Sequence, residues 1–150
     1  MEGVIRDMSG KVFVASAVTA ASLFLAGTAA AADLTVTVTA LRSAQGTVHV
    51  ALYGSGEAFP TTDGILEDRV VPASSPLATF AGIGPGTYAI AVFHDENGND
   101  EFDQGLLGIP REGYAFSMGA RALLGPPAFD DAAFVVEAGG TAITIPMTYW

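Results

Sequence analysis

Apolar and polar residues alternate one by one through Leu34-Thr35-Val36-Thr37-Val38-Thr39-Ala40-Leu41. That period of two marks a strand with one buried face, and valine and threonine suit a pleated surface. Ser43-Ala44-Gln45-Gly46 turns the chain, and Thr47-Val48-His49-Val50-Ala51-Leu52-Tyr53 alternates again with Val48, Val50 and Leu52 inward. The two runs predict an antiparallel hairpin, with His49 on the outer face as a surface residue. Residues 54–65 carry Gly, Ser, Pro and Thr, with Phe59 as the apolar anchor. Weaker strands follow over Leu66 to Val71 and Pro76 to Phe80. Gly82-Ile83-Gly84-Pro85-Gly86 punctuates the chain, and the run to Phe93 is apolar on both faces, as a central, covered strand requires. Phe129 to Val136 and Thr141 to Tyr149 read as the last strands. In the latter Ile143, Ile145, Met147 and Tyr149 share a face, and Pro146 places it at an edge or bulge.

About seven short strands with turns between them predict an all-β fold, an antiparallel β-sandwich with one long loop. That loop covers residues 94–128, too long for an ordinary connection, and loops of this kind carry function or a short helix of their own. Tyr114 to Leu124 is the place for one or two helical turns.

The first 32 residues belong to a different physical class. Lys11 gives a basic start, an apolar stretch runs from Val12 to Leu25, and Gly27-Thr28-Ala29-Ala30-Ala31-Ala32 precedes the charge of Asp33. This is the order of a secretory signal peptide, with cleavage after Ala30, Ala31 or Ala32. The apolar run falls short of the roughly 20 residues a membrane span needs. Export, to a bacterial periplasm or the medium, is the expected address, with residues 33–150 as one domain and no transmembrane span after cleavage. The chain has no cysteine, which excludes disulfides and thiolate chemistry and fits a bacterial envelope better than a stapled eukaryotic scaffold. Beyond residue 32 there is no lysine, and four arginines face 14 carboxylates. A phosphate backbone needs the opposite sign, so nucleic acid is excluded as a partner. Excess carboxylate suits divalent cations and solubility alike.

One segment concentrates that charge: His94-Asp95-Glu96-Asn97-Gly98-Asn99-Asp100-Glu101-Phe102-Asp103. Counted from Asp95, oxygen-bearing side chains stand at positions 1, 3, 5 and 9, with the position-7 residue Glu101 offering its carbonyl. That spacing lets a tightly wound loop turn alternate groups toward one centre. Asp95, Asn97, Asn99, Glu101 and Asp103 are the candidate ligands, and calcium (Ca2+) is the expected ion, since magnesium prefers fewer protein ligands and more water. Two features depart from an EF-hand loop. Position 6 is Asp100 rather than glycine, and position 12 is Leu106 rather than a bidentate glutamate. A last carboxylate must therefore come from Glu112, Asp130 or Asp131. The competing reading is an Asx-rich turn, in which Asn and Asp cap their own backbone. His94 is read as packing or bonding at the strand end.

His94-Asp95-x-Asn97-x-Asn99, Gly108-Ile109-Pro110-x-Glu112-Gly113-x-x-Phe116-Ser117 and Gly125-x-Pro127-x-Phe129-Asp130-Asp131-Ala132 together resemble a bacterial exported family, domain of unknown function family 2141. The resemblance runs from about Leu34 to Tyr149. The family usually has glycine at the position of Asp100, and it implies no catalytic residues. Phe80-x-x-Ile83-x-Pro85-Gly86-x-Tyr88 is similar to the strand entry of transthyretin-like (prealbumin-like) and Cna-B-like sandwiches, which bears on fold alone. The expected function is a non-catalytic exported binding or structural domain with a calcium-stabilised loop. Two rivals stand beside it: a metal-dependent hydrolase built on His94, Asp95 and Glu112, and a carbohydrate-binding module with Tyr53, Tyr114 and Trp150 as its platform.

Overall fold

The alternating segments form the strands they predict, but not always beside the expected neighbour. The structure, a computed structural model, describes residues 31–150. The expected signal peptide, except for its last two residues, lies outside the described residues. Eight strands are present among the described residues: β1 Leu34–Thr39, β2 Thr47–Tyr53, β3 Glu67–Pro72, β4 Leu77–Phe80, β5 Gly86–Asp95, β6 Gly113–Phe116, β7 Phe134–Val136 and β8 Thr141–Pro146. They make an all-β sandwich. One sheet has three strands in the order β4-β1-β8; the other has five, β3-β2-β5-β6 with β7 also pairing β5.

The core lies between the inner faces. Leu34, Val36 and Val38 of β1 meet Val48, Val50 and Leu52 of β2 and Tyr88, Ile90 and Val92 of β5, with Phe80 and Ile145 closing the sides. β5 is central and buried over most of its length, as its apolar faces require. β8 lies at a sheet edge and ends at Pro146, which has no N–H for a further ladder bond. Its pairing with β1 is parallel, Leu34 opposite Thr141 through Thr39 opposite Pro146, so the smaller sheet is mixed.

The predicted hairpin of the first two runs does not form. β1 pairs with β4 and β8, whereas β2 pairs with β3 and β5. Alternation fixes which side chains point inward; it does not choose between a neighbour beside the strand and one across the core. Residues 40–46 instead carry the chain from one sheet to the other. Ala40 turns there with φ +58°, and Gly46 sits at φ +71° so close to β5 that a Cβ would stand 1.9 Å from the Asp95 carbonyl oxygen.

The expected 35-residue loop is also shorter than predicted. β5 runs on to Asp95, and β6 pairs with it from Ala91 opposite Phe116 to His94 opposite Gly113. One 3-10 turn, Ser117–Gly119, falls in the interval expected to hold helix, and another covers Leu106–Gly108. The predicted strand over 129–136 divides into a single helical turn, α1 Phe129–Ala132, followed by β7. Between the stretches of β5 paired with β7 and with β6, the Ser117 hydroxyl takes over the ladder. Its Oγ accepts from the Ile90 N–H at 2.9 Å and donates to the Ala132 carbonyl at 2.5 Å.

Candidate functional site

Because β5 is a strand, its last two residues point to opposite faces. His94 turns inward and Asp95 outward, and this divides the site in two.

The His94 ring is fully buried. Its Nε2 lies 2.7 Å from the Gln45 carbonyl, which only accepts, so Nε2 carries a hydrogen. Nδ1 lies 2.8 Å from the Tyr149 hydroxyl. Both nitrogens are thus engaged in tying the 40–46 crossing and the C-terminal segment to β5. Arg42 lies 4.7 Å over the Tyr149 ring, and its Nε donates to Glu96 at 2.7 Å, while the Ser43 hydroxyl donates to the other Glu96 oxygen at 2.7 Å. The Arg42 guanidinium, outweighing burial, holds the Glu96 carboxyl below its usual value. Gly113 faces this cluster: a Cβ there would stand 2.3 Å from the Tyr149 ring. The packing role expected of His94 matches this geometry. The hydrolase constellation is not assembled, since His94 offers no open nitrogen and faces away from Asp95.

Asp95 is equally buried but lies on the outer face, within the loop it begins. Oδ1 accepts from the N–H groups of Gly98 (2.7 Å) and Asn99 (3.3 Å), and Oδ2 from that of Asp100 (2.8 Å). Burial pushes its pKa up, but these three N–H donors and the nearby His49 outweigh that and leave it below the usual aspartate value. The loop winds around this carboxylate. Asn97 Oδ1 accepts from the Asn99 N–H and Asn99 Oδ1 from the Glu101 N–H, each at 3.0 Å. Asp100 takes φ +59°, the left-handed turn that a calcium loop demands of its sixth position. Aspartate tolerates that conformation better than most residues.

The amides of Asn97 and Asn99 both reach Asp103. Their Nδ2 atoms donate to Asp103 Oδ2 at 2.5 and 3.2 Å. Asn97 and Asn99 thus reach Asp103 through their amide nitrogens, while their Oδ1 atoms accept from backbone N–H groups, as in an Asx-rich turn. The Asp95 carboxylate takes three backbone donors, and its Oδ2 also faces His49 and Asp100, whose ligand atoms lie with it close enough to hold one ion. Glu101 is exposed, leaving its carbonyl as the group it can contribute. Residues 103–111 double back on themselves, with the Arg111 N–H donating to the Asp103 carbonyl at 2.9 Å and the Gly105 N–H to the Ile109 carbonyl at 2.7 Å. This returns Glu112 to the loop, where its Oε2 accepts from the Asp103 N–H at 3.1 Å. Glu112 is only 5% exposed, and its Oε1 is a buried oxygen with no hydrogen-bond partner. Burial raises its pKa above the usual glutamate value, and the charges of Asp95 and Asp103 add to the rise, against the pull of the Asp103 and Glu96 N–H groups. Of the three acids proposed to complete the loop, Glu112 is the one the fold brings to it.

His49 occupies the outer face as predicted, yet it is not a free surface residue. Its side chain is 14% exposed and stacks on Phe93 with centroids 4.3 Å apart. Its Nε2 lies 3.8 Å from Asp95 Oδ2 and 3.5 Å from Asp100 Oδ1. The register explains this: Thr47 is opposite Asp95, so His49, two residues on, shares its face. Asp100 of the loop and His49 of β2 are the neighbours of Asp95 that spacing alone did not identify.

The outer face continues away from the loop as a cavity of about 780 Å³, floored by Ala51 and Ala91, which face each other across β2 and β5. Tyr53, Tyr114 and Trp150 all line it, together with Phe102 of the acidic loop. The expected carbohydrate platform is thus one cavity, though poor in the polar groups a sugar needs.

The family model described as "Uncharacterized protein conserved in bacteria (DUF2141)" matches residues 36–144. The chain belongs to this family. Comparison with curated proteins and with solved structures gives no match. The matched segment contains both the acidic loop and Glu112. Among the described residues no helix is long and apolar enough to cross a membrane.

Proposed function

We propose that this member of the family is an exported, non-catalytic binding domain whose loop over residues 95–103 is stiffened by calcium. The observation that carries the reading is Glu112 Oε1, a buried carboxylate oxygen with no partner on a side chain whose other oxygen is held by the Asp103 N–H. A buried, unpartnered carboxylate is costly, and a cation relieves that cost directly. Asp103, Asn97, Asn99, the Glu101 carbonyl and Glu112 would hold the ion. Reorientation of the two amides, which are nearly symmetric in shape, presents oxygen in place of NH2 toward it. The ion supplies charge neutralisation and cross-linking here. Asp95 keeps its place as the post around which the loop winds.

Reorientation gives up four hydrogen bonds, two from the amides to the Asp103 carboxylate and two from the Asn99 and Glu101 N–H groups to the amide oxygens. At about 1 kcal/mol for each neutral bond and about 1.5–3 for each bond to the carboxylate, this cost places the affinity in the weak, extracellular range of about 10⁻⁴–10⁻³ M. At a calcium concentration ten times the dissociation constant, linkage gives about 1.4 kcal/mol, or roughly 5 °C in melting temperature for a domain of this size. A melt in chelator should therefore fall by that amount and recover with calcium; identical melts in both would refute the reading.

Export rests on the basic, apolar and small-residue order of residues 11–32 and the lack of cysteine. Ala32 is buried against the core, so cleavage after Ala30 or Ala31 preserves a packing residue that cleavage after Ala32 removes. The intact mass of the mature protein distinguishes the three.

A further inference from the structure

The outer face of the larger sheet bears a cavity whose lining, among the described residues, contains no Asp, Glu, Lys or Arg, in a chain of formal net charge −10. Its floor is the pair Ala51 and Ala91, and its walls are aromatic: Tyr53, Phe93, Phe116 and Phe102. At about 780 Å³ it lies within the range of small-molecule sites, which are concave and mostly apolar. The mouth is more unusual than the floor. Leu107, Leu123 and Leu124 line it and stand almost wholly in solvent, and Trp150 beside them is 74% exposed. Leu107 does so from a left-handed backbone at φ +65°, a conformation that costs a non-glycine residue about 1–2 kcal/mol. Strain spent on turning a leucine out into water at the rim of an apolar cavity has a physical rationale when something apolar covers it.

We propose that this cavity binds one elongated, uncharged, apolar small molecule, of the class of an acyl or isoprenoid chain with a neutral head. Three features select that class. The lining offers an anion no cationic side chain to pair with, and the acidic field of the whole molecule repels one. Hydrogen-bonding side chains are seven of the 24 lining residues, His49, Tyr53, Thr61, Thr62, Gln104, Tyr114 and Trp150, and the last two are spent on each other, which leaves few for the hydroxyls of a sugar chain. Leucine and aromatic walls favour dispersion contacts with methylene and polyene chains. The inference deepens the binding-domain reading above and rests on it, but it does not require calcium.

Trp150 is the one tryptophan in the chain and lines the cavity, so it reports occupancy without a label. The purified protein is titrated with monooleoylglycerol, with oleate, with maltohexaose and with phosphatidylcholine vesicles, each in calcium and in chelator. The expected result is a saturable, one-to-one blue shift with monooleoylglycerol, at least tenfold weaker with oleate and absent with maltohexaose. Ala51→Phe fills the floor and should abolish the shift while its circular dichroism stays that of the wild type. Should Ala51→Phe not fold, the exposed-rim double variant Leu107→Ser/Leu124→Ser takes its place, with binding weakened about tenfold. Overturning results are no saturable shift with the neutral lipid, equal affinity for oleate, a shift with maltohexaose, or vesicle association undiminished by the variants. A failure here leaves the calcium-dependent melt intact, and a failure of the calcium reading leaves the same titration curve in chelator.

Discussion

Two buried carboxylates, 17 residues apart in sequence, are treated in opposite ways by the fold. Asp95 has its oxygens filled by backbone donors and its pKa lowered; Glu112 has one oxygen filled, one bare, and its pKa raised. The signs for stability follow. The Asp95 contribution is present above the ordinary aspartate range and is lost as pH falls through its lowered folded value. Glu112 binds its proton more tightly folded than unfolded, so its contribution is present below the ordinary glutamate value of 4.5 and is lost as pH rises through its raised one. In chelator the melting temperature should peak in mildly acidic solution, and calcium should move the peak toward neutrality by removing the Glu112 penalty. Glu112→Gln removes the buried charge but keeps an oxygen for the Asp103 N–H. At pH 7 in chelator it should melt higher than the wild type by about 1 kcal/mol equivalent, yet respond less to calcium. A variant that melts lower in chelator and responds fully would show that Glu112 is a structural anchor alone.

At the scale of elements, β5 is the spine on which the rest is registered. The sequence made it legible through its continuous apolar run, and β1, β2 and β8 through their alternation. Their partners were not legible, because facing across the core and pairing side by side leave the same period of two. β6 was missed because Gly113-Tyr114-Ala115-Phe116 is too short to establish a period. Ser117 was missed for a different reason: a serine after a short strand looks like turn chemistry, and only the gap in the β5 ladder reveals its task. Ser117→Ala leaves the Ile90 N–H and the Ala132 carbonyl buried without their side-chain partner, which should cost about 1–3 kcal/mol. For this domain that is a fall of roughly 5–10 °C in melting temperature. An unchanged melt would mean that the backbone closes the gap unaided. That residues 95–103 form a tightly wound turn was readable from their Asp and Asn spacing; that Asn97 and Asn99 would offer Asp103 their amide nitrogens was not. His49 and Asp100 required the β2–β5 register, which no local pattern contains.

At the scale of the whole molecule, the two proposed sites share one outer face. The acidic loop closes one end, and Phe102, within that loop, lines the cavity that opens beside it. A cation that fixes residues 95–103 therefore also fixes one wall of the cavity, and calcium and ligand should favour each other by linkage. This arrangement places the binding elements on the loops of a rigid sandwich, where they can vary without disturbing the fold.

The central claim concerns the ion, and native mass spectrometry of the protein during a calcium titration addresses it most directly. The account predicts one calcium per chain, half-loaded at about 10⁻⁴–10⁻³ M, and its loss in Asp103→Ala with the fold retained. A chain whose mass never increases by one ion, or an Asp103→Ala variant that loads as the wild type does, would contradict it.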